Sequence, residues 1–243
     1  MFALHQGDKI IGLDLTSSYP EETKEITKVG YHRHLNAEGI ISLDPTVVIH
    51  QGDVAPEQVM DQLKQVGVPV KVYPAAKTID GTKDLITAVA REYGQDTAAI
   101  RIVQKLDSDL AKANSIVQQY PTKPKVLVIH FGQQRNQYFV MGTSSTADAM
   151  LKMAGGINAA DTSSFRDLSP EVIAREQPDV ILATDFGWDR MGGDIEKFKT
   201  LPGIALTAAA KNGKIFRIEE HDLVYFGPRT GENVLKMAQL IHQ

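Results

Sequence analysis

The chain of 243 residues has no cysteine. That excludes disulfides, thiolate metal sites and a cysteine nucleophile. The absence suits a protein working in an oxidising compartment such as the periplasm, although many cytosolic proteins share it. Long hydrophobic runs are also missing: none approaches the ~18 residues needed to span a bilayer, so no membrane insertion is expected. Neither GxGxxG nor GxxxxGK[ST] occurs, and HExxH and GxSxG are absent. Nothing specific therefore supports an enzyme. Neither sign of charge dominates, with 26 Lys+Arg against 30 Asp+Glu and a net charge of −4. No basic stripe with interleaved aromatics is present, so nucleic acid is not an expected partner. The N-terminal MFALHQGDKI shows no basic segment followed by an apolar one, the pattern of an export leader.

What is present is an alternation of strand and helix patterns around one long helix. Asp96–Tyr120 contains no Gly or Pro, and Ile100, Val103, Leu106, Leu110, Ala113 and Val117 recur at spacings of three and four. That spacing predicts one apolar face of an α-helix, with Asp96 as N-cap and Pro121 and Pro124 ending it. At 1.5 Å per residue the rod is roughly 35 Å long. It reads either as a long surface helix or as a strut between two lobes.

Before it, short strands are expected at Lys9–Leu13, Thr27–Tyr31, Thr46–His50 and Val70–Tyr73. Helices are expected from Ala37, from Pro56 and over Thr82–Tyr93. After it, Lys125–Phe131 and Gln137–Met141 predict a hairpin across the QQRN of 133–136. Strands at Val180–Thr184 and Lys214–Ile218 follow, with helices at Ser145–Ala154, after Ser169, at Ile195–Leu201 and at Gly231–His242. This alternation is that of α/β domains with mostly parallel sheets. A weak internal repeat supports two similar lobes. Residues 35–53 align without a gap on 168–186, with Leu35/Leu168, Glu38/Glu171, Ile40/Ile173, Pro45/Pro178 and Val47/Val180 identical. The expected organisation is an N-terminal α/β lobe over 1–95, a connecting helix over 96–120 and a C-terminal α/β lobe over 121–243. Two such lobes leave a cleft for a small ligand.

The chemistry-bearing stretch is Gly30-Tyr31-His32-Arg33-His34. In an extended segment side chains alternate, which would put Tyr31 and Arg33 on one face and His32 and His34 on the other. A guanidinium beside a phenol favours the phenolate, the form that ligates Fe(III), and tyrosine is a known axial ligand of haem iron. A His32/His34 metal pair and a plain exposed loop are the alternatives. His130 ends a strand. Tyr225, Phe226 and Arg229 precede the last helix; they either line a wall for an aromatic, anionic ligand or pack the core, with Arg229 paired to a carboxylate.

The stretch GYHRHLNAEGIISLDPTVVI, the APEQVMDQL helix, the TSSTADAMLKMAGGINA run and VYFGPRTGE, set around the long helix, resemble the periplasmic haem-binding proteins of bacterial haem ABC importers. These belong to the helical-backbone class that also holds vitamin B12 and siderophore binders, and the resemblance covers essentially the whole chain. It implies haem, iron protoporphyrin IX, as a transported ligand held in the inter-lobe cleft, and no catalysed reaction. It implies Tyr31 as an iron ligand supported by Arg33, with His130 as a second ligand from the C-terminal lobe. Tyr225 and Phe226 then form ring contacts, and Arg190 or Arg229 meets a propionate. Delivery goes to an inner-membrane ABC permease that meets Glu57 on one lobe and Glu196 on the other. A monomer in the periplasm is expected. The family's leader and its first strand with a Gly-rich turn have no counterpart here, which implies a removed leader or a truncated start. A binder of the same class for a corrinoid, a siderophore or a metal ion is the first rival, and a haem-using enzyme the second.

Overall fold

The computed structural model describes residues 1–134, 137–190 and 192–243. The chain divides into two compact units, Met1–Val103 and Gln104–Gln243. The division falls inside one helix, α4, which runs unbroken from Asp96 to Val117.

In the first unit the helices are α1 (Ala37–Ile41), α2 (Gln58–Gln65) and α3 (Ile79–Glu92), before the start of α4. Two short strands, β1 (Val48–His50) and β2 (Val70–Val72), pair in parallel. Asn36 caps α1 by accepting from the Glu38 N–H, and Thr78 caps α3 by accepting from Gly81. Both satisfy amides that the first helical turn leaves without an internal partner. A small core forms from Ala37 and Ile40 of α1 against Val59, Met60 and Leu63 of α2. The strands expected at Lys9–Leu13 and Thr27–Tyr31 do not form. An isolated parallel bridge joins Leu13 to Lys28, with three backbone bonds between 13–15 and 27–30, and residues 7–9 turn as a 3₁₀ segment. An apolar run becomes a strand only when a neighbour takes its N–H and C=O groups in succession, and here the pairing is confined to residues around Leu13.

The second unit carries a larger mixed sheet. Its strands are β3 (Lys125–Gln134), β4 (Gln137–Val140), β5 (Ile157–Asn158), β6 (Arg166–Leu168), β7 (Val180–Thr184) and β8 (Ile215–Ile218), in the order β6-β4-β3-β7-β8 with β5 beside β3. β3, β7 and β8 are parallel, while β4 is antiparallel to β3 and β6. The predicted β3–β4 hairpin is present as an antiparallel pair; positions 135 and 136 of its turn lie outside the described residues. Helices α5 (Thr146–Met153), α6 (Pro170–Glu176), α7 (Asp185–Arg190), α8 (Ile195–Lys199), α9 (Ala208–Lys211), α10 (His221–Val224) and α11 (Thr230–Ile241) complete it. All five residues of β7 are buried, as are Val126, Leu127, Val128 and Ile129 of β3. Strands covered on both faces need such unbroken apolar runs.

The α4 stripe is set slightly differently from the expected one. Ala99, Leu106 and Ala113 are buried, whereas Ile100 is 58 % exposed. Asp96 is the first helical residue rather than the cap. The buried stripe also includes Asp109, a carboxylate flanked by Lys105 and Lys112. The two copies of the internal repeat do fold alike. Each is a capped helix, Asn36–α1 and Ser169–α6, followed by a strand that pairs in parallel with the next one, β1 with β2 and β7 with β8. The resulting sheets differ in size, with two strands in one unit and six in the other.

Candidate ligand sites on the two units

In the first unit Tyr31 opens a turn rather than a strand: the His34 N–H donates to the Tyr31 carbonyl at 2.7 Å. Gly30, just before it, has φ near 110°, a left-handed value that glycine adopts without a Cβ penalty. The turn corrects the expected alternation of faces. The His32 ring meets the Tyr31 ring edge-on at 4.5 Å, and the His34 ring lies 5.9 Å from it. Both imidazoles therefore flank the phenol instead of pointing away. Tyr31 is 36 % exposed, and its hydroxyl has no hydrogen bond among the described residues. Arg33 is exposed and makes no ion pair among them.

His32 is held firmly. Its Nδ1 lies 3.3 Å from Asp14 Oδ2 and its Nε2 3.5 Å from Asp53 Oδ2. The His32 carbonyl accepts from the Ala55 N–H at 2.8 Å. Burial raises the Asp14 pKa, but hydrogen bonds from Ser17, Thr16 and His32 outweigh it and leave the group below the usual carboxylate range. Neither Asp14 nor Asp53 stood out in the sequence, because each lies some twenty residues from His32.

In the second unit His130 stands on β3 and is 8 % exposed. Its carbonyl accepts from the Thr184 hydroxyl, which in turn accepts from the Gly187 N–H at 3.2 Å. A Cβ at Gly187 would lie 3.2 Å from the carbonyl oxygens of Ile129 and His130, so glycine lets α7 start this close to β3. Three phenylalanines ring the imidazole: Phe165 at 5.5 Å, Phe139 at 5.8 Å and Phe186 at 6.2 Å. Phe165 and Phe186 remain largely exposed, as does Tyr225, whose ring lies 5.2 Å from that of His221. Burial pushes the His130 pKa down to about 4; Asp185 pulls it back up and Arg190 lowers it further. The neutral imidazole is the form that ligates a metal. Glu220 Oε1 lies 3.5 Å from His130 Nε2, and burial raises the Glu220 pKa. The aromatic rings of this face are fit to lie against a flat ring system, with Glu220, Asp185 and Arg190 at its margin.

The remaining predicted residues fall as follows. Arg190 ends α7 and is exposed. Phe226 is 9 % exposed and belongs to the packed interior, while Arg229 is ion-paired with Asp222. Glu57 is exposed just before α2, and Glu196 is exposed in the first turn of α8, ion-paired with Lys199 at 2.9 Å. Phe165, Phe186 and Glu220 were missed by sequence reading. Their only local signal is an aromatic or acid beside a loop, which is too common to single out.

No helix among the described residues is long and apolar enough to cross a membrane. Comparison with known proteins gives a consistent picture. The chain is similar over its full extent to the periplasmic heme-binding protein RhuT from Roseiflexus sp. RS-1 in its apo form, at 32 % identity and a TM-score of 0.88, covering 99 % of this chain and 92 % of that one. It is 27 % identical to an uncharacterized ABC transporter substrate-binding lipoprotein, YvrC, of Bacillus subtilis (strain 168), over 99 % of this chain and 76 % of the relative. It is also 27 % identical to a cobalamin-binding protein of Halobacterium salinarum, over 100 % of this chain but only 66 % of that relative's length. The solved relative shares the mixed α/β architecture with its long helix, and the family model for periplasmic binding proteins matches residues 1–221. The chain belongs to the periplasmic binding protein family.

Proposed function

We propose that the chain is the substrate-binding component of an ABC importer and that its cargo is haem. The observation that carries the choice of cargo is the Tyr31 turn. It presents a partly exposed phenol, without a hydrogen bond among the described residues, with an exposed Arg33 two residues on in the same turn. Ferric iron wants a hard anionic oxygen, and a phenolate is one. A bound cation acidifies its own ligand, so the iron itself supplies most of the drive for ionisation. Arg33, two residues along, is the proposed supporting cation. His130, neutral at physiological pH, is the proposed second ligand. Phe165, Phe186 and Tyr225 supply apolar ring contacts. Arg190, exposed at the end of α7, and Arg229, ion-paired with Asp222, are the proposed propionate contacts. The likeness to a heme-binding protein at 32 % identity supports the same cargo.

A corrinoid is the second reading, favoured by the likeness to a cobalamin-binding protein. Absorbance titration separates the two. Under the haem reading, ferric haemin added to the purified chain gives a saturable Soret change and a phenolate-to-iron charge-transfer band. Cyanocobalamin then leaves the spectrum a simple sum. Saturable binding of cyanocobalamin with none of haemin would reverse the assignment.

The importer reading makes an inner-membrane permease the partner. Glu57 is the proposed docking acid of the first unit and Glu196 that of the second. Carboxylates this exposed lose little hydration until a basic partner covers them.

A further inference from the structure

We propose that Asp14 and Asp53, acting through His32, are positioning residues that hold the Tyr31 ring ready for its ligand. The inference rests on the reading of Tyr31 as the ligand-binding phenol. The phenol is partly exposed and its hydroxyl has no hydrogen bond among the described residues, which leaves the neighbouring rings to restrict it. The two rings that touch it are unequal. His34 is exposed, makes only the ring contact and has no hydrogen bond from its own ring among the described residues. His32 packs closer, edge-on at 4.5 Å, and is itself immobilised. Its side chain is 18 % exposed, and both ring nitrogens face carboxylates, Asp14 at 3.3 Å and Asp53 at 3.5 Å. Thr16 Oγ1 lies 3.4 Å from the same Nδ1 that faces Asp14.

The anchor behind His32 is stiff. Asp14 Oδ2 accepts from the Thr16 N–H at 3.0 Å and from the Thr16 hydroxyl. Asp14 Oδ1 accepts from the Ser17 N–H at 3.1 Å and the Ser17 hydroxyl at 2.5 Å. That side chain has no freedom left to follow a moving imidazole. Backbone bonds fasten the segment at two more points, Leu15 N–H to the Gly30 carbonyl at 2.9 Å and Ala55 N–H to the His32 carbonyl at 2.8 Å. Restraint therefore passes from a fully bonded aspartate to an imidazole and from the imidazole to the phenol. A ligand residue ordered before binding saves the entropy of ordering it during binding, which for one side chain is worth about twofold to tenfold in affinity. The arrangement also ranks the two histidines: His32 positions the phenol, and His34 contributes less.

The test uses the full chain and ferric haemin, with Tyr31→Ala, His32→Ala, His34→Ala, Asp14→Asn, Asp53→Asn and the Asp14→Asn/His32→Ala pair. Dissociation constants come from the Soret change, and thermal melts report stability. A readout independent of haem is the ¹³C ring signal of Tyr31 in tyrosine-labelled protein, identified by its loss in Tyr31→Phe. His32→Ala is expected to weaken haemin about threefold to tenfold, shift the charge-transfer band and move the Tyr31 signal. His34→Ala should change all three less than His32→Ala does. Asp14→Asn and Asp53→Asn should do the same as His32→Ala in smaller measure, and Asp14→Asn should add nothing once His32 is gone, because its effect runs through that ring. Additive losses in the double variant, or a Tyr31 signal unmoved in both Asp14→Asn and Asp53→Asn, which leave the imidazole in place, overturn the proposal. Asp53 is exposed on the surface, so its variant speaks even if Asp14→Asn fails to fold. Wild-type affinity in Tyr31→Ala would instead remove the reading of Tyr31 as ligand, and the labelled-tyrosine signal would still decide whether His32 and the two aspartates hold the ring.

Discussion

At the scale of single residues, the two proposed iron ligands differ in kind, and their variants should differ accordingly. Tyr31 offers an exposed oxygen from a turn, whereas His130 is sunk among Phe139, Phe165 and Phe186. Tyr31→Ala removes the anionic donor. The expected outcome is at least a hundredfold loss of haemin affinity, about 2.7 kcal/mol, together with loss of the charge-transfer band. His130→Ala leaves that donor in place. Haemin should still bind, with the absorbance and electron paramagnetic resonance spectra changing from a six-coordinate to a five-coordinate ferric form. An unchanged spin state in His130→Ala would assign the iron a different second ligand.

Elements carry their own predictions, and two concern α4. Asp109 sits in its buried stripe between Lys105 and Lys112. The Lys105 hydrogen bond, opposed by burial and helped by Lys112, holds its carboxyl below the ordinary value of 3.8. A carboxyl depressed in the folded state contributes stability that is full above the unfolded pKa and is lost as pH falls through the folded one. Asp109→Asn should therefore lower the melting temperature at pH 7, by the equivalent of about 1 kcal/mol for two exposed lysine partners. The gap between variant and wild type should close below pH 3.8. A gap that stays constant down to pH 2 would mean that the loss is one of packing rather than charge. The second prediction concerns α11, which crosses α4 where Gly231 approaches Leu106. An added Cβ would lie 2.5 Å from the Leu106 carbonyl oxygen, so the helices must separate to admit it. Gly231→Ala is expected to cost about 1–3 kcal/mol, the usual penalty of overpacking, read by denaturant unfolding.

For the molecule as a whole, the proposed role requires handing cargo to a membrane partner, and capture and delivery should be separable. Glu57 lies outside both candidate ligand surfaces. Glu57→Lys should bind haemin with wild-type affinity yet abolish uptake through the cognate permease in a reconstituted vesicle. Retention of uptake would remove Glu57 from the docking surface. Glu196→Lys is the parallel test on the second unit. There the surface ion pair to Lys199 must also be broken, so a small loss of stability accompanies the variant.

The division between what sequence and tertiary structure decide can be followed residue by residue. The unbroken α4 was legible because helix formation depends on neighbours three and four positions away and on the absence of Gly and Pro. Caps at Asn36 and Ser169 were legible for the same reason, since each bonds an amide two or three residues on. The buried strands β3 and β7 announced themselves as continuous apolar runs. The faces of the Tyr31 segment were not legible, because extended and turned backbones carry the same residues, and bonds from Leu15 and Ala55 help to set the turn. Nor was the size of the first sheet: KIIGL has the composition of a strand, but a strand exists only if another segment arrives to take its hydrogen bonds. The aromatic ring around His130 draws on β4, β6's approach and α7, and the clamp on His32 draws on residues 14 and 53. Sequence by itself determined the long helix, the other longer helices to within a few residues, the buried strands β3 and β7 and a tyrosine and arginine two residues apart, but not the short helices α7, α9 and α10. Which groups surround that tyrosine, and which histidine is buried neutral, only the tertiary structure decided, because ring packing, burial and ion pairing depend on distances that chain separation does not encode.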